Sequence, residues 1–167
     1  MKNITLLCIG HIKSSWLREG CEEYGLRLAH DIGLDIVELP ASKEKDPARQ
    51  RDEECGRLID ALEKRKGTVY VLDERGTQRT SIVFASLISD AQDLGEQIIF
   101  VLGGAFGLND DVRSKGSTLS LSDMTLPHEL CRLLFLEQLY RAQQIQKGTS
   151  RRPPKADYGR QAGYHHV

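Results

Sequence analysis

The residues best placed to do chemistry sit where an apolar run meets glycine. In the stretch IIFVLGGAFGLND (98–110), five apolar residues lead into Gly103 and Gly104, and Gly107 follows three positions later. Backbone without a Cβ offers its N–H and C=O groups to a flat ligand at close range. A plain tight turn between strand and helix would use the same glycines. The spacing is neither the dinucleotide fingerprint GxGxxG nor the phosphate loop GxxxxGK[ST], so neither of those ligand classes is implied. A second polar constellation lies in LSLSDMTLPHELCRLLFLEQLYRAQQIQKG (119–148), which carries Ser122, Asp123, Thr125, His128 and Arg141. His128 and Cys131 stand three apart, but no second cluster of ligating residues accompanies them, so no metal is expected.

Positioning those residues takes a scaffold of alternating strands and helices. ITLLCIG (4–10) is a continuous apolar run, as expected for a strand buried on both faces. Ser14 or Ser15 can cap a helix through WLREGCEEYGLRLAHD, in which Trp16, Leu17, Tyr24 and Leu28 share one face. LDIVELP (34–40) predicts a second strand, closed by Pro40. The charged run 41–54 reads as a mobile, solvated loop leading into a helix that carries Leu58, Ile59 and Leu62. A third strand, Thr68 to Leu72, ends at Asp73, with Gly76 marking a turn. Thr80 or Ser81 caps a helix that Gly95 closes, and the strand QIIFVLGG follows. A short helical piece, NDDVRSKG, precedes STLSLSDMTLP. The longest helix begins near Pro127 or His128 and reaches about Lys147, with Leu130, Leu133, Leu134, Leu139 and Ile145 as its apolar stripe. Such alternation predicts an α/β fold with a mostly parallel sheet and helices on both faces. Ligands of such sheets bind at the carboxyl ends of strands, here VLDERG, VLGGAFG and LSLSDMTLPH.

The bulk numbers bound what this scaffold can be. The 167 residues suggest one domain, 1–167, whose last part, 149–167, is a basic tail without apolar periodicity. A net charge of -1 and a pI near 6.5 argue against a strongly basic nucleic-acid coat and leave room for a local patch. That patch would be the run of Arg141, Lys147, Arg151, Arg152, Lys155 and Arg160, opposed by Asp157. No apolar run approaches the roughly 18 residues a membrane span needs, and the N-terminus reads as a strand rather than a signal peptide. The four cysteines are scattered without CxxC spacing, as expected of reduced thiols in a cytoplasmic protein.

The segment from Leu119 to Gly148, together with VLGGAFGL, closely resembles the RlmH family, the knotted SPOUT-class methyltransferases that methylate a pseudouridine in 23S ribosomal RNA. LLCIGHIK, VYVLDERG, the glycine loop, MTLPHELCRLLFLEQLYRA and the closing YHH come in the family's order, and TLPH followed by EQLYRA is the most specific part. The resemblance implies a C-terminal trefoil knot whose loops form the pocket for S-adenosyl-L-methionine. On this chain the loops are Leu72, then Gly103 and Gly104, then Leu121, Ser122, Asp123, Met124, Thr125 and Leu126. It also implies methyl transfer to N3 of a pseudouridine, whose proton must leave; the candidates for handling that proton or the charge are His128, Arg141, Tyr164 and His165. His128 at a helix start and Arg141 near a helix end also have plainer roles, as a partial cap and as a favourable charge on the helix dipole. The implied partners are 23S rRNA in the assembled ribosome and a second copy of the chain in a homodimer, with no membrane and no DNA. The chain departs from the family where TSRRPPKADYGRQAG separates Gly148 from Tyr164. Two other readings stay open: a ribosome-binding protein of this fold without catalysis, and a knotted methyltransferase acting on another RNA such as tRNA.

Overall fold

Alternate residues of the central strands belong to opposite cores, and this places helices on both faces of one sheet. In β1 (Lys2–Ile9), Ile4, Leu6 and Cys8 face one side while Leu7 and Ile9 face the other. β4 (Ile98–Leu102) repeats the pattern, with Ile98, Phe100 and Leu102 opposite Ile99 and Val101, and all five of its residues are buried. With β2 (Gly33–Leu39), β3 (Thr68–Gln78) and β5 (Ser117–Ser120) they form a five-stranded sheet in the order β2-β1-β4-β3-β5, every pair parallel. The computed structural model describes residues 2–148, so the tail 149–167, with Tyr164 and His165, lies outside the described residues.

One face is covered by α1 (Ser15–Leu28), α3 (Ser81–Asp93) and α5 (His128–Lys147), with α5 packed against both of the others. Its centre is aromatic: the rings of Phe100 and Phe135 lie 4.7 Å apart and Phe84 closes the group at 6.0 Å from Phe100. The opposite face is covered by α2 (Pro47–Glu63) and the single turn α4 (Asp110–Arg113), through Cys55, Leu58, Leu62 and Val112. Among the described residues no helix is long and apolar enough to cross a membrane.

Five local readings are corrected. The charged run 41–54 is loop only to Asp46, whose carboxylate accepts from the Arg49 N–H at 3.0 Å; Pro47 takes the first helical position, so the remainder is helix rather than mobile loop. β3 does not stop at Asp73. Leu72 and Thr77 both stand opposite Leu119, so Asp73 to Gly76 bulge out of the ladder and the strand resumes to Gln78. Gly76 is therefore not a turn residue: a Cβ there would lie 2.7 Å from the Leu119 nitrogen, and its absence lets β5 pass. Trp16, expected on the inner face of α1, is 65% exposed, while Leu17 and Leu28 are buried. On α5 the buried stripe is Phe135, Leu136, Leu139 and Ala142, whereas Leu130, Leu133 and Leu134 are only partly buried, Leu133 against Gly20 of α1.

Candidate functional site

The carboxyl ends of β3, β4 and β5 open into one cleft of about 710 Å3. Its inner wall is apolar, built from Leu72, Leu102, Leu108, Leu121 and Leu126. Eight of the nine residues expected to hold a cofactor line it: Leu72, Gly103, Gly104, Leu121, Ser122, Met124, Thr125 and Leu126. Asp123 is exposed and is not part of the lining. His128 does line it. Arg141 does not; it lies further along α5, roughly 20 Å away at ~1.5 Å per residue, and its guanidinium bonds to the Glu137 carboxylate. The cleft thus brings together all the expected residues among those described except Asp123 and Arg141.

The glycines work differently from the expectation that they leave room for a ligand. A Cβ on Gly103 would fall 2.9 Å from the Gly107 carbonyl oxygen and 2.8 Å from Leu108. One on Gly104 would fall 2.5 Å from Glu54 Oε1. Protein, not open cleft, occupies both spaces. Gly107 is the residue with the conformational demand, at φ +76°. Its N–H donates to the Gly104 carbonyl at 3.1 Å, which closes the four-residue turn 104–107.

The three loops are tied to one another by groups that no motif announced. Arg113 of α4 donates from Nε to Asp73 in the β3 bulge at 2.5 Å, and from Nη2 to the Leu108 carbonyl behind the glycine turn at 2.5 Å. Its third arm, Nη1, meets Asp110 at 2.7 Å. Burial pushes the Asp73 carboxyl up, but the Arg75 N–H and the Arg113 guanidinium outweigh it and hold it below the usual carboxylate range. Thr125 Oγ1 donates to Glu74 at 2.7 Å, joining the β5–α5 loop to the same bulge. Within that loop the Ser122 hydroxyl accepts from the Met124 N–H, an ST-type turn. Nothing in the sequence singles out Arg113 in the short helical piece NDDVRSKG, and the bulge carrying Asp73 and Glu74 has no signature at all. Glu54 did leave a trace: it falls on the buried face of α2 with Leu58, Ala61 and Leu62.

His128 sits at the first turn of α5. Its neighbour Glu129 turns away and accepts the backbone N–H groups of Lys13 and Ser14 at the start of α1, at 3.1 and 3.2 Å. Arg132, 4% exposed, fixes the helix to the end of β1 through the Ile9 and Gly10 carbonyls and to Glu38. The His128 ring makes no hydrogen bond among the described residues. Burial pushes its imidazole below the usual range, Glu129 pulls it up and Arg132 pushes it down, so it is mainly neutral at pH 7. Cys131, also in the lining, is pushed up by burial and stays a thiol, so it offers no nucleophile. All four cysteines are free, as expected. Among the described residues no three His, Cys, Asp or Glu side chains gather where a metal could sit.

A family model described as "Predicted SPOUT methyltransferase" matches residues 1–150. Three similar relatives each bear the name ribosomal RNA large subunit methyltransferase H. That of Citrifermentans bemidjiense is 41% identical over 140 residues, 83% of this chain and 90% of the relative. That of Geobacter sp. is 40% identical, covering 87% and 95%. That of Clostridium novyi is 39% identical, covering 87% and 96%. A solved structure, a putative methylase family protein from Neisseria gonorrhoeae, superposes with a TM-score of 0.50 at 14% identity, over 84% of this chain and 82% of that one, a likeness of fold alone.

Proposed function

The chain belongs to the SPOUT methyltransferase family, and from that premise we propose that it methylates large-subunit ribosomal RNA, at N3 of a pseudouridine, with S-adenosyl-L-methionine as donor. The observation that carries the reading is the convergence of three strand ends on one apolar cleft with a neutral histidine at its edge. Mostly apolar walls with a few fixed polar groups suit a nucleoside-bearing donor. Leu72, Leu121 and Leu126 would hold its flat part, and the main chain from Gly103 to Gly107 its polar edges. The donor, when bound, supplies an already activated methyl group.

What this chain must supply is alignment and a place for the acceptor's proton. His128 takes that proton: its imidazole is neutral, lies in the cleft, and has no competing hydrogen bond among the described residues. The amino end of α5 at His128 presents unpaired N–H groups and the positive end of the helix dipole to the imide anion. Arg141, Tyr164 and His165 would act across a two-fold interface, where a second copy brings its own α5 end and tail to this cleft. In the same reading the C-terminal part is threaded as a trefoil knot, the enzyme is cytoplasmic, and the assembled ribosome presents the RNA. The names of the relatives favour this over a non-catalytic RNA binder or an enzyme for tRNA.

The direct test is transfer of labelled methyl from S-adenosyl-L-methionine to unmodified ribosomes, free large subunits and bulk tRNA. Ribosome or large-subunit labelling is expected; labelling of tRNA alone, or donor binding without any transfer, removes the proposal. A pH profile tests His128. The neutral form grows as pH rises, and its pKa is lowered, so the acid limb of turnover is expected to have its midpoint below ~6.5. His128→Gln should lower turnover at neutral pH by roughly 100-fold and abolish that limb. An unchanged limb would assign the proton to another group.

A further inference from the structure

We propose that Phe106 is the stacking platform for a base of the RNA acceptor, with Arg75 and Arg51 of the same cleft as phosphate contacts; this rests on the rRNA methyltransferase reading. Phe106 is 48% exposed and yet lines the cleft. It stands third in the turn 104–107, which the Gly107-to-Gly104 hydrogen bond and the left-handed Gly107 lock, so the ring is presented by a short, fixed turn rather than a long loop. Met124, 76% exposed, lies on another lip of the same cleft. Single exposed apolar side chains are ordinary on a protein surface. Two of them rimming a cleft whose inner wall is already apolar mark an outer compartment suited to a flat, π-faced ligand.

The charges on that rim fit a nucleic acid. Arg75 lines the cleft, is exposed, and donates no side-chain hydrogen bond among the described residues. Arg51 lines it too, sharing Asp52 with Asn109. Of the acids nearby, Asp73 pairs with Arg113 and Asp52 with Arg51, while Glu74 keeps its charge and accepts the Thr125 hydroxyl. An exposed guanidinium and an exposed aromatic ring lining one cleft suit single-stranded RNA, the ring taking a base face and the cation the backbone. The acceptor base, or one next to it, thus lies on Phe106 at the mouth while the donor occupies the inner wall.

Phe106 is exposed, so its replacement leaves the core intact. Phe106→Ala should raise the KM for unmodified ribosomes and weaken their binding by roughly ten- to a hundredfold, with the Kd for S-adenosyl-L-methionine unchanged within about twofold. Phe106→Tyr should retain wild-type binding, and Phe106→Leu, apolar but without a π-face, should behave like alanine. Arg75→Ala should weaken ribosome binding and flatten its salt dependence by about one phosphate contact. The proposal is overturned if leucine works as well as phenylalanine, if donor affinity falls in step with ribosome affinity, or if none of the variants changes binding. Should the wild type bind ribosomes without methylating them, the enzymatic reading fails, while the contrast between tyrosine and leucine still judges the platform.

Discussion

Arg113→Ala is expected to lower stability by about 3 kcal/mol and to weaken S-adenosyl-L-methionine binding by more than tenfold. The side chain touches both the β3 bulge, at Asp73, and the end of the glycine turn, at the Leu108 carbonyl. Removing it leaves the Asp73 carboxylate, 7% exposed, without its cation, and breaking a buried pair from one side typically costs ~3–5 kcal/mol. The lower end applies because Arg113 is still 19% exposed. The loss should depend on pH in a defined direction. Asp73 has a depressed pKa in the fold, so its contribution is present above the ordinary carboxylate range and disappears as pH falls through the folded value. Wild type and variant should therefore converge in acid. Arg113→Lys keeps the charge but cannot reach Asp73, Leu108 and Asp110 with three directed arms, and should restore less than half of the lost stability. Urea unfolding and calorimetric donor titration measure both quantities. Full stability with normal donor affinity in the alanine variant would mean that the cleft loops hold their shape without this tie.

The tie made by Arg113 also marks where the sequence stopped being readable. The central sheet was legible because a strand buried on both faces must be continuously apolar, as ITLLCIG and IIFVL are. The long helix was legible from Pro127 and from its length. Its buried face was misjudged because Leu130, Leu133 and Leu134 are only partly buried, Leu133 against α1, whereas Phe135, Leu136 and Ala142 join the core cluster, Phe135 against Phe100 of the sheet. The start of α2 was missed because charge density suggested solvent, while the local evidence for a helix, Asp46 followed by Pro47, was already present. The β3 bulge could not be found this way. A residue pair out of register, Leu72 and Thr77 on one partner, depends on what β5 does more than forty positions later. The cleft residues were legible mainly through family resemblance, with the glycines as the one local hint. The ties that shape the cleft are single polar contacts between distant segments, and such contacts carry no periodicity.

Gly104→Val should cost more in folding than in ligand binding. The sequence suggested a glycine kept bare for the donor, in which case valine would block the cleft and leave the fold alone. In the structure the first added carbon lies 2.5 Å from Glu54 Oε1 and 3.3 Å from Ile9. Glu54 is 2% exposed, and its other oxygen accepts the Ser42 N–H at 3.0 Å, so the carboxylate yields only by giving up that bond in a closed interior. Oε1 itself has no partner among the described residues, so moving it forfeits nothing further. Overpacking of this kind costs ~1–3 kcal/mol, which for a chain of this size lowers Tm by roughly 2–4 °C per kcal/mol. The folded fraction of Gly104→Val should bind S-adenosyl-L-methionine within about tenfold of wild type. Truncating the obstacle should relieve the strain: in a Glu54→Ala background, Gly104→Ala should cost at least ~1 kcal/mol less than it does alone, a coupling expected only of residues in contact. The competing account makes the opposite forecast on both axes. If Tm stays put while donor affinity vanishes, and Glu54→Ala brings no relief, then Gly104 is reserved for the ligand, and the buried carboxylate behind it has no part in shaping the loop.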